Sequence, residues 1–525
     1  MANYYIYGGK IHTMSHAGAV EAMLVLGDRV AMVGTKDQVE PYLPPNTEKI
    51  DLKGRAVFPG FHDCHIHLAM YSVARKRINL MGVGTIEEAL EIIKDAASRA
   101  KPGEWIVGRG WDKSLWARFP TKEQLDSVAP DNPVILSSKC GHSTWVNSAA
   151  LKIAGVDKDT EAPPGGAILK DENGELSGIL QDTASRLVRA HVPQDTPEFI
   201  FDAVADCIPH LWGMGLTCVH APDPSTTFGM VRRLRLEKDL PLRVAFMPPI
   251  ADMPLVESFG LRQGYGDDWV WTAQVKMFKD GSLGASTALM FEPYDHRPDT
   301  AGLEVLTNEE LEAHVRRCIA AGYGVGVHAI GDKAVALTLD VLEACRAESI
   351  QAGVRHRIEH AQYIRPEDVQ RFNQLQVIAS IQPPHITADR YMSDRELGSR
   401  SEIAFPLVSL LEADVVLAFG SDAPVDTPDP IYGIHCAVNR KLQGDAEAWY
   451  PAQRISVYDA VKGYTKDAAY AAGKEDVIGD LSQGKLADFV ILSEDLFAID
   501  PEDIASVKVE AVCIGGSFVV QPEWN

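Results

Sequence analysis

Residues 58–68 read FPGFHDCHIHL, an apolar approach that ends in His65 and His67, two positions apart. In an extended chain, side chains at i and i+2 point to the same side. Two imidazoles placed that way can chelate one cation, and histidine nitrogen suits zinc and similar divalent metals. Taken alone, the pattern fits a histidine-rich strand end equally well. His62 stands three before His65, on the opposite side of the strand, and is assigned a structural role.

Working outward, segments of the same texture recur. Candidate strands are 57–67, 133–138, 215–221, 273–279, 323–329, 355–361, 376–382 and 414–422. Helical patterns fall between many of them. TIEEALEIIKDAASRA and TNEELEAHVRRCIAAG carry capping-box starts at Thr85/Glu88 and Thr307/Glu310. Alternating strand and helix argues for an α/β fold with a parallel sheet covered by helices. Eight strands suggest a (β/α)8 barrel of the TIM type, which places chemistry at the C-terminal ends of its strands. Lys276, His328, His360 and Asp422 each follow an apolar strand and precede a Gly- or Pro-containing loop. A single strand-end histidine is more often structural. Several such positions on separate strands, after the His-x-His, point to one shared site.

The two ends of the chain differ from the middle. Residues 1–57 and 480–525 are rich in Val, Ile and Tyr and broken by glycine turns, which suggests one small β-sandwich-like domain built from both termini. The barrel then spans 58–479. Within it, 101–200 holds Trp105, Trp111, Trp116 and Trp145 and a hairpin-like segment with Asn-Gly at 173–174. That stretch is expected to be an insertion near the barrel mouth. The 525 residues carry a net charge of −23, which opposes a nucleic-acid partner. No signal-peptide pattern and no run of 18 apolar residues is present, so no membrane association is expected. Eight scattered cysteines without C-x-x-C fit a reducing cytoplasm.

These motifs together resemble the amidohydrolase superfamily, and within it the amidohydrolase family 3 branch, to which N-substituted formamide deformylases belong. FPGFHDCHIHL resembles the first-strand metal motif. GHSTWVNSAAL, VKMFKDGSLGASTALM, VHAIGDKA, RHRIEHAQ, GSDAPVDTPDP and GKLADFVIL match later segments in order. The resemblance covers almost the whole chain. It is specific for family and says little about substrate.

The resemblance implies His65 and His67 as ligands of one metal, and His328 and His360 as ligands of a second. Lys276 matches the strand-four lysine that is N-carboxylated and bridges the pair. Lys279 is its nearby competitor. An unmodified ammonium has only donors, so Lys276 can bind a cation only when carboxylated. Asp422 matches the strand-eight aspartate, a metal contact that also takes a proton from the bound water. A metal-bound water has its pKa lowered from 15.7 to about 7, which makes a bridging hydroxide available at neutral pH. His142 is the candidate for polarising the substrate carbonyl. Trp145, His220, Gln382 and His385 are candidate substrate contacts. His356, four before His360, is placed deeper in the barrel.

The expected activity is hydrolysis of a C–N amide-type bond in a small molecule, an N-acyl or N-formyl amine. The expected cofactors are two zinc ions, with manganese, iron or nickel open. One alternative is an ester, lactone, cyclic amide or C–C bond cleaved on the same metals, since fold does not decide chemistry. A remoter one is a non-catalytic binding protein. A homodimer is expected from relatives.

Overall fold

The computed structural model describes residues 3–139 and 141–524. Two compact units emerge: Met1–Leu68 with Ala205–Asn525, and Ala69–Val204.

The first unit contains short parallel strands separated by helices. They are β1 (Phe61–Asp63), β2 (Leu216–Ala221), β3 (Arg243–Phe246), β4 (in two pieces, Val270–Thr272 and Val275–Phe278), β5 (Val325–Ala329), β6 (Arg357–His360), β7 (Ile378–Ile381) and β8 (Leu417–Phe419). Each pairs in parallel with the next, except at two seams. At the first seam the Lys276 amide donates to Pro248 O at 2.8 Å. At the second the Cys64 amide donates to Phe419 O at 2.9 Å, and Ile66 bridges Ala423 in parallel. The α/β strands therefore follow the cyclic order of a TIM-type barrel. Helices Thr226–Lys238, Asn308–Ala320, Asp332–Ala344, Pro366–Leu375 and Leu407–Glu412 fill successive crossovers. Thr307 makes the reciprocal capping box with Glu310. Thr85 accepts from the Glu88 amide, whereas the Glu88 carboxylate reaches back to the Gly84 amide.

The strand count is the expected one, but one member differs. Val134–Ser138 is not a barrel strand. It pairs in parallel with Ile106–Trp111 and antiparallel with Ser143–Val146, in a six-stranded sheet of the second unit. The strand in its stead is β3, a four-residue stretch in LPLRVAFMPPI. Its Arg243 breaks the apolar pattern, yet it is buried because the guanidinium pairs with Asp488 and donates to Asp268 O.

Strands from both termini share one eight-stranded sheet. Ala56–Pro59 lies between Asn3–His12 and Phe489–Leu492, and Tyr4, Ile6, Val25, Phe489 and Ile491 pack in its core. The second unit begins at 69, before the 101 expected for the insertion. Its hairpin pairs Gly166–Lys170 with Leu176–Asp182 around a turn held by Asp171. No helix among the described residues is long and apolar enough to cross a membrane. The seven described cysteines are buried, and Cys140 lies outside the described residues.

Candidate metal centre

The end of β1 is stitched between its neighbours. Ile66 N–H donates to His220 O at 3.0 Å, and His67 N–H to Ala423 O at 3.0 Å. Asp63 accepts from the His65 and Ser421 amides and from the Ser421 hydroxyl. Burial pushes its carboxyl up to about 7. Gly420 permits this approach, because a Cβ there would come within 2.5 Å of the His65 amide nitrogen. Asp422 follows with φ 59°, its amide donating to His65 O at 2.6 Å. His360, at the end of β6, has φ 71°. Left-handed backbone at such residues costs about 1–3 kcal/mol and clusters at functional sites.

These constraints bring six sequence-identified residues together. Asp422 Oδ1 lies 3.3 Å from His67 Nε2 and 3.5 Å from His65 Nε2. Lys276 Nζ is 3.4 Å from His65 Nε2. The His360 ring centroid is 4.4 Å from that of His328 and 5.2 Å from that of His65. Two donor sets result, His65/His67/Asp422 and His360/His385/Asp422, each with its ligand atoms within 4.8 Å of one another. His328 stands outside both, with Nε2 donating to Gly281 O at 2.9 Å.

The electrostatics favour ligation. Burial lowers His65 to about 4 and His328 to about 3, and it holds His360 well below its usual value. Neutral imidazoles keep a lone pair for a cation. Burial would raise Asp422, but the His67 hydrogen bond and the neighbouring imidazoles outweigh it and hold the carboxyl well below its usual range. Burial lowers Lys276 to about 8. Lys279, by contrast, is tied to Glu304, Leu306 O and Asn308 and takes no part.

Donor chemistry and open valences fit a divalent cation. His360 Nδ1 and His385 Nε2 are buried without a hydrogen-bond partner among the described residues. A third histidine cluster, His62/Cys218/His220, does not fit one. Arg357 donates to His220 Nδ1 at 2.9 Å, so the proton of that neutral ring sits on Nε2 and no lone pair is left.

One participant escaped the sequence. Glu359 is wholly buried, with Oε2 2.6 Å from His65 Nδ1 and Oε1 on Arg357. Arg357 also donates to Cys64 O. Burial would raise Glu359, but Arg357 and then His65 hold it well below its usual range. The ionised carboxylate therefore places the His65 proton on Nδ1 and turns the bare Nε2 toward Asp422. The signal available was an opposite-charge pair, Arg357 and Glu359, on one face of an otherwise buried strand.

Other candidates are placed differently. His220 is wholly buried and held by Arg357, so it supports the site and does not reach a substrate. Trp145 is also wholly buried. Its Nε1 donates to Thr121 O and its ring meets Trp116 edge-on, so it is core and not a pocket wall. His142 lies in the second unit, where it is 76% exposed and bonded to Asp182 at 2.8 Å. Gln382 and His385 follow β7; Gln382 is wholly buried, and its Oε1 has no partner among the described residues. His356 accepts from the Val325 amide and pairs with Ser349, a structural role.

Comparisons with known proteins give the family. The model of the amidohydrolase family (Amidohydro_3) matches residues 48–520. The chain belongs to the amidohydrolase family. It is 34% identical to the Arabidopsis thaliana protein LONG AFTER FAR-RED 3, over 98% of this chain and 91% of that one. It is 26% identical to the N-substituted formamide deformylase of Arthrobacter pascens, over 99% and 97%. A crystal structure of an uncharacterised metal-dependent hydrolase from Pyrococcus furiosus superposes with a TM-score of 0.78 at 29% identity, covering 94% of this amidohydrolase and 100% of that chain.

Proposed function

We propose that this amidohydrolase is a metal-dependent hydrolase that cleaves the C–N bond of a small N-acyl or N-formyl amine. The observation that carries the reading is the pair of donor sets sharing Asp422, with buried ring nitrogens left open beside them. The similarity to a formamide deformylase supports the choice of bond.

His65, His67 and Asp422 would hold one divalent cation, and His360 would serve a second, together with His328 through Nδ1, the ring nitrogen not committed to Gly281 O. Zinc suits a set of imidazoles and carboxylate. Such cations supply Lewis acidity and lower the pKa of water to near neutrality. Lys276 joins the set only as a carbamate, formed when its neutral amine adds to carbon dioxide and releases one proton. Glu359 holds His65 in the ligating tautomer. Asp422 accepts the proton of the attacking water and returns it to the departing amine, so one carboxylate serves as base and then as acid.

The test is a panel of N-formyl and N-acyl amines, esters and lactones, incubated with metal-reconstituted protein and assayed for free amine. Amine release from a formyl or acyl amine is expected. Turnover of esters or lactones with no amine from any amide would overturn the choice of bond.

A further inference from the structure

The sequence places His385 among the substrate contacts, but its surroundings give it another task. It follows β7 in the run Gln382-Pro383-Pro384-His385. Two prolines restrict the chain there, and the His385 amide donates to Gln382 O at 3.0 Å. The side chain is thereby carried inward and only 7% of the residue remains exposed. Its Nε2 is buried with no hydrogen-bond partner among the described residues. An unsatisfied buried polar atom costs about 1–3 kcal/mol, and the protein leaves this one beside another, His360 Nδ1. The two rings lie parallel, 5° apart, with centroids 6.3 Å from each other. Each ring offers a ligand atom within 4.8 Å of the other and of an Asp422 oxygen. Asp389, half-buried nearby, accepts from the Gln362 amide at 3.1 Å and makes no hydrogen bond to His385.

We infer that His385 is a metal ligand, completing with His360 and Asp422 the second cation set of this centre. The inference rests on the metal-dependent reading above and extends it. It adds a donor from the short helix after β7 (Pro383–Ala388) to a set otherwise drawn from strand ends, and Asp422 becomes the residue common to both cations. A substrate contact would not need a ring nitrogen to converge with two other ligand atoms. A cation does.

The test uses the full chain, stripped with chelator and titrated with cobalt(II). Wild type is expected to bind two ions. His385→Ala is expected to lose one of them, or to weaken its binding beyond the ~10–100-fold caused by loss of an outer-shell partner. His385→Cys supplies a positive signature that does not depend on a deletion. A thiolate on cobalt gives a near-ultraviolet charge-transfer band, which the wild type, with no cysteine in either donor set, lacks. Two ions retained by His385→Ala at unchanged affinity, or bound cobalt without that band in His385→Cys, would overturn the inference and leave the metal centre standing. A wild type that binds no cobalt would remove the centre itself, and this inference with it.

Discussion

Two buried regions of this protein treat polar atoms in opposite ways. In the second unit, Trp111, Trp116 and Trp145 pack together, and each indole N–H donates to a carbonyl, of Leu136, Val83 and Thr121. Nothing polar is left open on these three rings. At the strand ends of the first unit, His360, His385 and Gln382 are as well buried, yet each keeps an atom without a partner. A core built for packing satisfies its polar groups. A core that leaves several open in one place is arranged for a guest. The contrast separates stability from chemistry without reference to residue type, since both regions were marked as candidate functional sites by their sequences.

The comparison can be broken by mutation. The largest effect is expected at Asp422, the residue common to both donor sets. Asp422→Asn should lower the hydrolytic rate by about 10²–10⁴-fold, the share of a general acid–base group. Steady-state kinetics that stay near wild type would remove its proton-transfer role. Trp145→Ala should act on stability instead, costing about 3–5 kcal/mol in denaturant titration. A loss of rate with unchanged stability would return Trp145 to the site.

Acid sharpens the contrast further. Burial lowers His356 to about 4 from 6.5. Between those values the unfolded chain binds the proton and the folded chain does not. Stability is therefore full above about pH 6.5 and falls as pH drops toward 4, by roughly 3 kcal/mol for this group. His356→Gln should flatten that part of the stability–pH profile, and an unchanged slope would count against the assignment. The smallest effect is expected at Glu359. Glu359→Gln keeps an acceptor near His65 but loses the charge, and should weaken metal binding by about 10–100-fold in a competition with a chromophoric chelator.

Much of the fold was legible because strand ends, caps and turns are local events. Thr307 and Glu310, the Asn-Gly turn at 173–174 and the apolar approach to His65 all follow from neighbours in the chain. β3 was not legible, since Arg243 is buried only through Asp488, 245 positions away. Val134–Ser138 carried the apolar pattern of a barrel strand, but periodicity reports burial and cannot say in which sheet. At the site, the histidines, the aspartate and their strand-end positions were legible. The role of Glu359 was not, because it depends on β1 and β6 meeting across the barrel. The convergence of His385 with His360 and Asp422 was hidden for the same reason, as it depends on the ends of three separate strands coming together.

The central claim is that the open nitrogens and the shared carboxylate exist to hold divalent cations. Elemental analysis of the purified full chain, before and after chelation, tests it most directly. The account predicts up to two divalent ions per chain, with hydrolysis lost on their removal and restored on their return. Metal-free protein that hydrolyses at the full rate would contradict it.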